Sequence, residues 1–394
     1  MDSASLLSRG PFGFRLETNV RFGVGVVREL PDYLLNRGAR KVAVIVDAGA
    51  EKNPAAQSLL SLVRQSFPDV QVEQSDAVEP DYDYLDVFKA RFTASVDAVV
   101  GIGGGSILDL AKAISVLVTN PGPAISYRGF DMVKNPGRPL IAIPTTAGTG
   151  SEVTPNAVFT DRAEMRKFGI NTWEYVPELT YLDPEMTASC PRSVTISSGI
   201  DALVHTVESY VARGATPLSR VFAVQACPLI LTSLAEVLDH PADLELRGRM
   251  QLGAFLAGCS LFNGGAGPAG ALSYPLGVHY KVPHGIAGGV FLARVARGNV
   301  ARGSTVYGDL YDTLPDRDPT LTSPGDRASA FCDRLDTLCS RLQIPQSLTP
   351  FGVRRADVET MTEQTMLLKG ALDMNPAPFG KEEVRQLLLD MTEA

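Results

Sequence analysis

The sequence predicts an α/β domain on a mostly parallel sheet, followed by an all-helical domain. Three observations carry this expectation. Strand-like and helix-like stretches alternate through the first half, as βαβ units with helices on both faces of one sheet require. Near Asp183-Pro184 the texture changes, and from about Ser197 helical periodicity dominates. A chain of 394 residues is long enough for two hydrophobic cores. The expected division is an α/β dinucleotide-binding domain over 1–190 and a helical domain over 191–394.

In order, Lys41-Val42-Ala43-Val44-Ile45-Val46-Asp47 is a β-branched run that closes on an acid. A helix is expected from Ala55 to Gln65, a strand at Val70-Gln71-Val72, and a helix near Tyr84 to Phe92. Ala98-Val99-Val100-Gly101-Ile102 reads as a buried strand breaking into Gly103-Gly104-Gly105-Ser106. Ile107 to Val118 follows as a helix, with Leu108, Ala111, Ile114 and Ser115 at helical spacing. Leu140-Ile141-Ala142-Ile143 is another buried strand, stopped by Pro144. Beyond residue 190, helices are expected over 197–212, 217–238, 243–264, 284–300, 326–342 and 355–369. Arg302 to Pro324 reads as an exposed loop or short-helix excursion.

Composition narrows the partners. Apolar residues make up 45% and charged residues 20%, and the net charge is −8. That balance belongs to a soluble globular protein and argues against nucleic acid or an anionic membrane, which need a basic face. No stretch of about 18 uninterrupted apolar residues suggests a membrane span. The opening MDSASLLSRGPFGF lacks a basic start and a long apolar core, so it does not read as a secretory leader. Five cysteines without a CxxC pair fit reduced thiols and a cytoplasmic location.

Two glycine-rich turns suggest a nucleotide. Gly103, Gly104, Gly105 and Ser106 lie between a strand and a helix, where a bare backbone and helical N–H groups can cradle phosphate. Asp109 is expected in the first helical turn, suiting the dipole or bonding the turn. The plainer alternative is a turn shaped for packing. Pro144-Thr145-Thr146-Ala147-Gly148-Thr149-Gly150-Ser151 supplies four hydroxyls, from Thr145, Thr146, Thr149 and Ser151, for phosphate and ribose oxygens. Its alternative is a capped loop. Asp47 can accept from an adenosine ribose and would repel a 2′-phosphate, favouring NAD over NADP; alternatively it only initiates a turn.

Asp201 and His205 stand four residues apart on an expected helix, for which Ser198 is the expected cap. Their side chains leave one face, as half of a divalent-metal site does. His284, in Val282-Pro283-His284-Gly285, offers a third ligand, and the chain has only four histidines. The alternative is a buried Asp–His hydrogen bond on a capped helix.

Several segments together resemble the iron-containing (group III) alcohol dehydrogenase family. They are GIGGGSILDLAKAISVL at 101–117, PTTAGTGSEVTPNAVFTD at 144–161 with Lys167 after it, and LDP at 182–184. SGIDALVHTVESYVA at 198–212, YPLGVHYKVPHGIAGG at 274–289 and the C-terminal MNPAPFGKEEVRQLLLDM complete the set. The resemblance spans nearly the whole chain. It implies a Rossmann-like N-terminal domain and a helical C-terminal domain, the fold shared with dehydroquinate synthase, with hydride transfer in the cleft between. It implies NAD(H) on the two turns and on Lys167, and iron or zinc on Asp201, His205 and His284. It also implies a homodimer acting on a small molecule.

One departure is specific. The family usually carries a histidine fourteen residues before that of the Pro-His-Gly motif, and here the position is Gly270. A metal is therefore expected to be weakly held or absent, with His279 or water as substitute. Without metal, Tyr274, His279 or His284 is the candidate proton donor. Asn135-Pro136-Gly137 and Tyr127-Arg128-Gly129-Phe130-Asp131 resemble sugar-acid and phosphonate-pathway members, implying a small polar or anionic aldehyde, phosphonoacetaldehyde-like or sugar-derived. The rivals are a same-fold lyase or cyclase using NAD transiently, and a non-catalytic relative.

Overall fold

Alternation of side chains along the buried strands builds the first layer of the structure. Val42, Val44, Val46, Val100, Ile102, Ile141 and Ile143 face one core, while Ala43, Ile45, Val99 and Leu140 face another. Successive residues of a strand point to opposite faces, so a strand apolar on both faces must lie between two layers. This computed structural model describes residues 11–164 and 166–392. The first ten residues, part of the stretch read for a leader, lie outside that range.

The strands are β1 (Asn19–Phe22), β2 (Val42–Asp47), β3 (Gln71–Ser75), β4 (Ala98–Gly103), β5 (Gly129–Phe130), β6 (Leu140–Pro144), β7 (Asn156–Asp161), β8 (Arg166–Asn171) and β9 (Leu179–Leu182). Six form one sheet in the order β1-β9-β6-β4-β2-β3, and every pairing within it is parallel. A smaller sheet runs β5-β8-β7, with β7 and β8 antiparallel.

The helices α1 (Leu30–Asn36), α2 (Pro54–Ser66), α3 (Tyr82–Lys89), α4 (Gly105–Leu117) and α5 (Pro184–Thr187) accompany these strands. Leu30 and Leu34 of α1, Leu59 and Val63 of α2 and Met186 of α5 join one core. Leu85 and Phe88 of α3 and Ile107, Ala111 and Ile114 of α4 join the other. The parallel sheet covered on both faces is therefore the one the sequence predicts.

The helical part comprises α6 (Arg192–Val211), α7 (Pro217–Asp239), α8 (Leu244–Gly264), α9 (Pro268–Tyr280), α10 (His284–Ala301), α11 (Tyr307–Tyr311), α12 (Pro324–Arg341), α13 (Val358–Met366), α14 (Lys369–Asp373) and α15 (Lys381–Asp390). Contacts divide the described residues into an α/β unit, Glu17–Thr195 with Glu236–Phe255, and a helical unit made of Ile196–Ala235 with 256–392 and 11–16. By length and composition α7 could cross a membrane. Ala223, Ala226, Cys227, Ile230 and Leu234 are all fully buried, as in a core helix.

Several boundaries differ from expectation. Helix α6 starts at Arg192, so Ser198 lies inside it rather than at its start; Pro191 precedes the helix and Thr195 N–H donates to Pro191 O. The expected helix over 355–369 is divided into α13 and α14. The helix over Pro268–Tyr280 was not expected, because its Gly, Ala and Pro content hides any apolar stripe and Pro275 stands within it. Asp109 lies past the first turn of α4, which carries no acid.

Candidate active site

The α/β unit places three expected nucleotide contacts along one edge of its sheet. Asp47 ends β2, and Gly103 of β4 pairs in register with Pro144 of β6. Strands β2, β4 and β6 are neighbours, so Asp47 and the two glycine-rich turns follow one another at their carboxyl ends. Ligands of parallel α/β sheets bind outside such ends.

The two turns touch. A Cβ built on Gly104 would lie 3.2 Å from Thr146 Cγ2, and one on Gly105 only 2.6 Å from Thr149 Cγ2. Thr145 N–H donates to Gly103 O at 3.0 Å. A Cβ on Gly103 would strike Ile107 at 2.5 Å. Glycine here therefore serves packing as well as leaving the backbone bare. Helix α4 has Gly104 at its N-cap and no side-chain cap, which leaves first-turn N–H groups for an external acceptor.

The hydroxyls and acids have distinct partners. Ser151 Oγ donates to Asp109 Oδ1 at 2.5 Å, and Val158 N–H donates to Asp109 Oδ2 at 2.9 Å. Asp109 thus ties α4 to β7, where the expectation was that it would suit the helix dipole or bond its own turn, because its place on the helix turns it inward. Burial pushes its carboxyl up, against Lys112, Ser151 and the Val158 N–H. Asp47 Oδ1 accepts from Gly49 N–H at 2.7 Å, so it does initiate a turn. Lys167, on β8, donates to Glu79 Oε1 at 2.6 Å, while Glu79 N–H donates to Ser106 Oγ at 3.2 Å. Glu79 stands at φ 57, a left-handed backbone unusual outside glycine. It links two expected cofactor residues, and nothing in its sequence setting pointed to it.

The helical unit draws Asp201, His205 and His284 together. Asp201 Oδ1 lies 3.7 Å from His205 Nε2 and 3.9 Å from His284 Nε2. The first contact follows from their four-residue spacing on α6. The second depends on close helix packing: a Cβ on Gly285 would fall 1.9 Å from Ser197 O, so only glycine lets α10 approach α6 there. Lys281, at φ 58, ends α9 and turns the chain toward His284.

The donor set suits a divalent ion. Two donors at 2.0–2.2 Å from a tetrahedral ion stand about 3.3–3.6 Å apart, so the contacts here are a few tenths of an ångström too wide. Accordingly, among the described residues no closed cluster of three His, Cys, Asp or Glu ligands is formed. His205 Nδ1, the ring nitrogen other than the one nearest Asp201, is buried and makes no hydrogen bond. One carboxylate and two imidazoles match the chemistry of iron or zinc sites.

Around this trio the other candidates separate. The Tyr274 ring stands edge-on to that of His284, centroids 5.3 Å apart at 85°. His279 does not join them: it is exposed and its Nε2 is engaged by Gln364 Oε1. Nine residues along α9 from Gly270 rotate a side chain by about 180°, so His279 leaves the opposite face. Two further residues belong to the neighbourhood. Glu208, buried on α6, accepts from Gly267, Ala269 and Gly270 N–H at 3.0, 2.6 and 3.1 Å. Burial pushes its carboxyl up to about 7 against these bonds. Ser273 contacts His284. The three-residue step from His205 to Glu208 was a legible signal for one of them.

Comparison with known proteins agrees with this architecture. The profile of iron-containing alcohol dehydrogenases matches residues 17–184, and that of the C-terminal part of the Fe-containing alcohol dehydrogenase family matches 195–392. The chain is 33% identical to an NAD-dependent methanol dehydrogenase of Bacillus methanolicus, over 86% of this chain and 90% of that protein. It is 31% identical to a sulfoacetaldehyde reductase of Bilophila wadsworthia, over 93% and 95%. An alcohol dehydrogenase structure from Oenococcus oeni superposes with a TM-score of 0.90 at 28% identity, covering 97% of this chain and all of that one.

Proposed function

The chain belongs to the iron-containing alcohol dehydrogenase family, and from that premise we propose that this oxidoreductase uses NAD(H) to reduce a small polar or anionic aldehyde. The observation that carries the reading is the approach of His205 and His284 to one carboxylate oxygen of Asp201. When bound, reduced nicotinamide supplies hydride, and a divalent ion supplies Lewis acidity at the substrate oxygen. Asp201, His205 and His284 would hold the ion. The first turn of α4 and the threonines after β6 would hold the nucleotide, with Asp47 toward the adenosine ribose.

The polar or anionic class rests on likeness to the sulfoacetaldehyde reductase and on the Tyr127–Asp131 and Asn135–Gly137 segments. Arg128 does not supply the cation for such a substrate, since Asp161 and Glu164 already pair with it at 2.7 and 2.9 Å. The charge on an anionic substrate would need another partner.

The test is NADH oxidation across a panel of polar, anionic and simple aldehydes, with metal content measured on protein purified without chelator. The expected result is stoichiometric NADH consumption, lost on chelation and restored by iron or zinc. Substrate loss without net NADH change would indicate a lyase or cyclase. NADH binding without turnover of any aldehyde would indicate a binding protein. Turnover indifferent to chelation and to added metal would remove the ion, leaving Tyr274 against His284 as the proton-donating pair.

A further inference from the structure

Ser273 is fully buried on α9, and its hydroxyl contacts two groups. Its Oγ lies 2.6 Å from Gly270 O and 3.0 Å from His284 Nδ1. A serine hydroxyl has one proton, and a carbonyl oxygen can only accept. The proton is therefore committed to Gly270 O. The 3.0 Å contact with the imidazole must then run the other way, with His284 Nδ1–H donating to Ser273 Oγ. A neutral ring protonated at Nδ1 carries its lone pair on Nε2. Nε2 is the atom that lies 3.9 Å from Asp201 Oδ1.

We infer that Ser273, held by the Gly270 carbonyl, is a positioning residue that fixes His284 as its Nδ1–H tautomer and so turns the Nε2 lone pair toward the place where a divalent cation would sit. Metal-bound histidines usually donate their second ring N–H to such a partner, which sets both tautomer and ring orientation. His205 provides the contrast, because its Nδ1 is buried without a hydrogen bond. One imidazole is thus oriented before any ion arrives and the other is not. Position 270 offers no side-chain ligand, yet its carbonyl still acts, through Ser273, on a neighbouring one.

The inference rests on the metal reading only for its purpose; the tautomer is a property of the metal-free protein. The experiment is nitrogen-15 NMR of histidine-labelled, chelator-stripped protein at a pH where the ring is neutral. The chain has four histidines, and His284→Gln assigns the ring. Zinc titration against a competing chelator runs in parallel. The expected result is a protonated Nδ1 and an unprotonated Nε2 on His284, with only Nε2 strongly shifted by zinc. Ser273→Ala should lose that preference and weaken zinc binding about tenfold, while Ser273→Thr, which keeps the hydroxyl, should retain both. A parent ring protonated at Nε2, or a Ser273→Ala spectrum like the parent's, overturns the inference. A parent with the expected tautomer that takes up no zinc overturns the metal reading and upholds the fixing of His284 by Ser273.

Discussion

Glu208 Oε2 accepts a hydrogen bond from Gly270 N–H at 3.1 Å, so the carboxylate lies against the position where the sequence resemblance leads one to expect a histidine. The two residues come from α6 and α9, and the same carboxylate also takes the N–H groups of Gly267 and Ala269. A helix start is a good seat for a carboxylate, because its N–H groups lack intrahelical acceptors. Glu208 thereby ties the helix bearing Asp201 and His205 to the helix bearing Ser273 and Tyr274.

Placing a histidine at this position should affect metal retention and packing separately. A Cβ on Gly270 would lie 3.1 Å from Glu208 Oε2, close enough that the carboxylate must give. Gly270→His is expected to slow zinc loss during dialysis against chelator, while crowding of Glu208 is set against the helix propensity gained over glycine. Gly270→Ala is the control, with the same crowding of Glu208 by its Cβ and no gain in retention. Equal retention in both variants would show that a histidine at 270 does not reach the ion.

Glu208 also predicts a pH dependence. Its carboxyl titrates at about 7 when folded, against 4.5 for the unperturbed group. A raised acid pKa means that the folded state binds more protons than the unfolded chain between those values, so stability falls as pH rises from about 4.5 to 7. Urea unfolding of the parent and of Glu208→Gln should show the parent losing of order 1–3 kcal/mol relative to the variant across that range. Glu152 is likewise pushed up to about 7 by burial, but it is present in both proteins and cancels. Parallel pH profiles would place the Glu208 titration elsewhere.

What the sequence revealed follows physical scale. Strands β2, β4 and β6 were legible because unbroken Val, Ile and Ala runs have few other destinations than a buried parallel sheet. Asp201 and His205 were legible because four residues on a helix fix a shared face whatever the tertiary fold. Strands β7 and β8 were not, since half-buried runs such as Arg166–Asn171 owe their structure to antiparallel pairing with each other. Nor was α9, whose position is held by Glu208, α10 and the left-handed Lys281 rather than by a stripe of its own. Glu79 and Ser273 act through hydrogen bonds between elements distant in sequence, and no local pattern records such partners; for Glu208 the shared helix face with His205 was legible, but its partners on α9 were not.

Cofactor choice should depend on Asp47. Its Oδ1 caps the turn at Gly49, so replacement by glycine would remove a cap and a charge together. Asp47→Asn keeps a capping oxygen and removes only the charge. The parent is expected to bind NADH more tightly than NADPH, and Asp47→Asn should narrow that ratio by about 1–3 kcal/mol. Fluorescence titration with both cofactors measures it. An equal or inverted preference in the parent would move the 2′-position away from this carboxylate.

Pyrophosphate binding at the Gly103–Ser106 turn is an expectation, and the contact between the two turns dictates how it must be tested. Gly104→Val alone is ambiguous, because the new side chain meets Thr146, whose Cγ2 would lie 3.2 Å and whose Oγ1 3.3 Å from the added Cβ. Lost NADH binding could then reflect a displaced turn instead of a blocked phosphate. Pairing Gly104→Ala with Thr146→Ser separates the effects, since serine lacks the crowding methyl. Gly104→Ala should lower the melting temperature slightly and weaken NADH binding by at least about tenfold, because its Cβ covers backbone that the pyrophosphate must approach. Adding Thr146→Ser should return the melting temperature toward the parent's while leaving NADH binding weak; Thr146→Ser alone should bind nearly as the parent does. If the double variant regains both stability and affinity, the glycine is there for packing against Thr146, and the pyrophosphate is held elsewhere on the sheet edge.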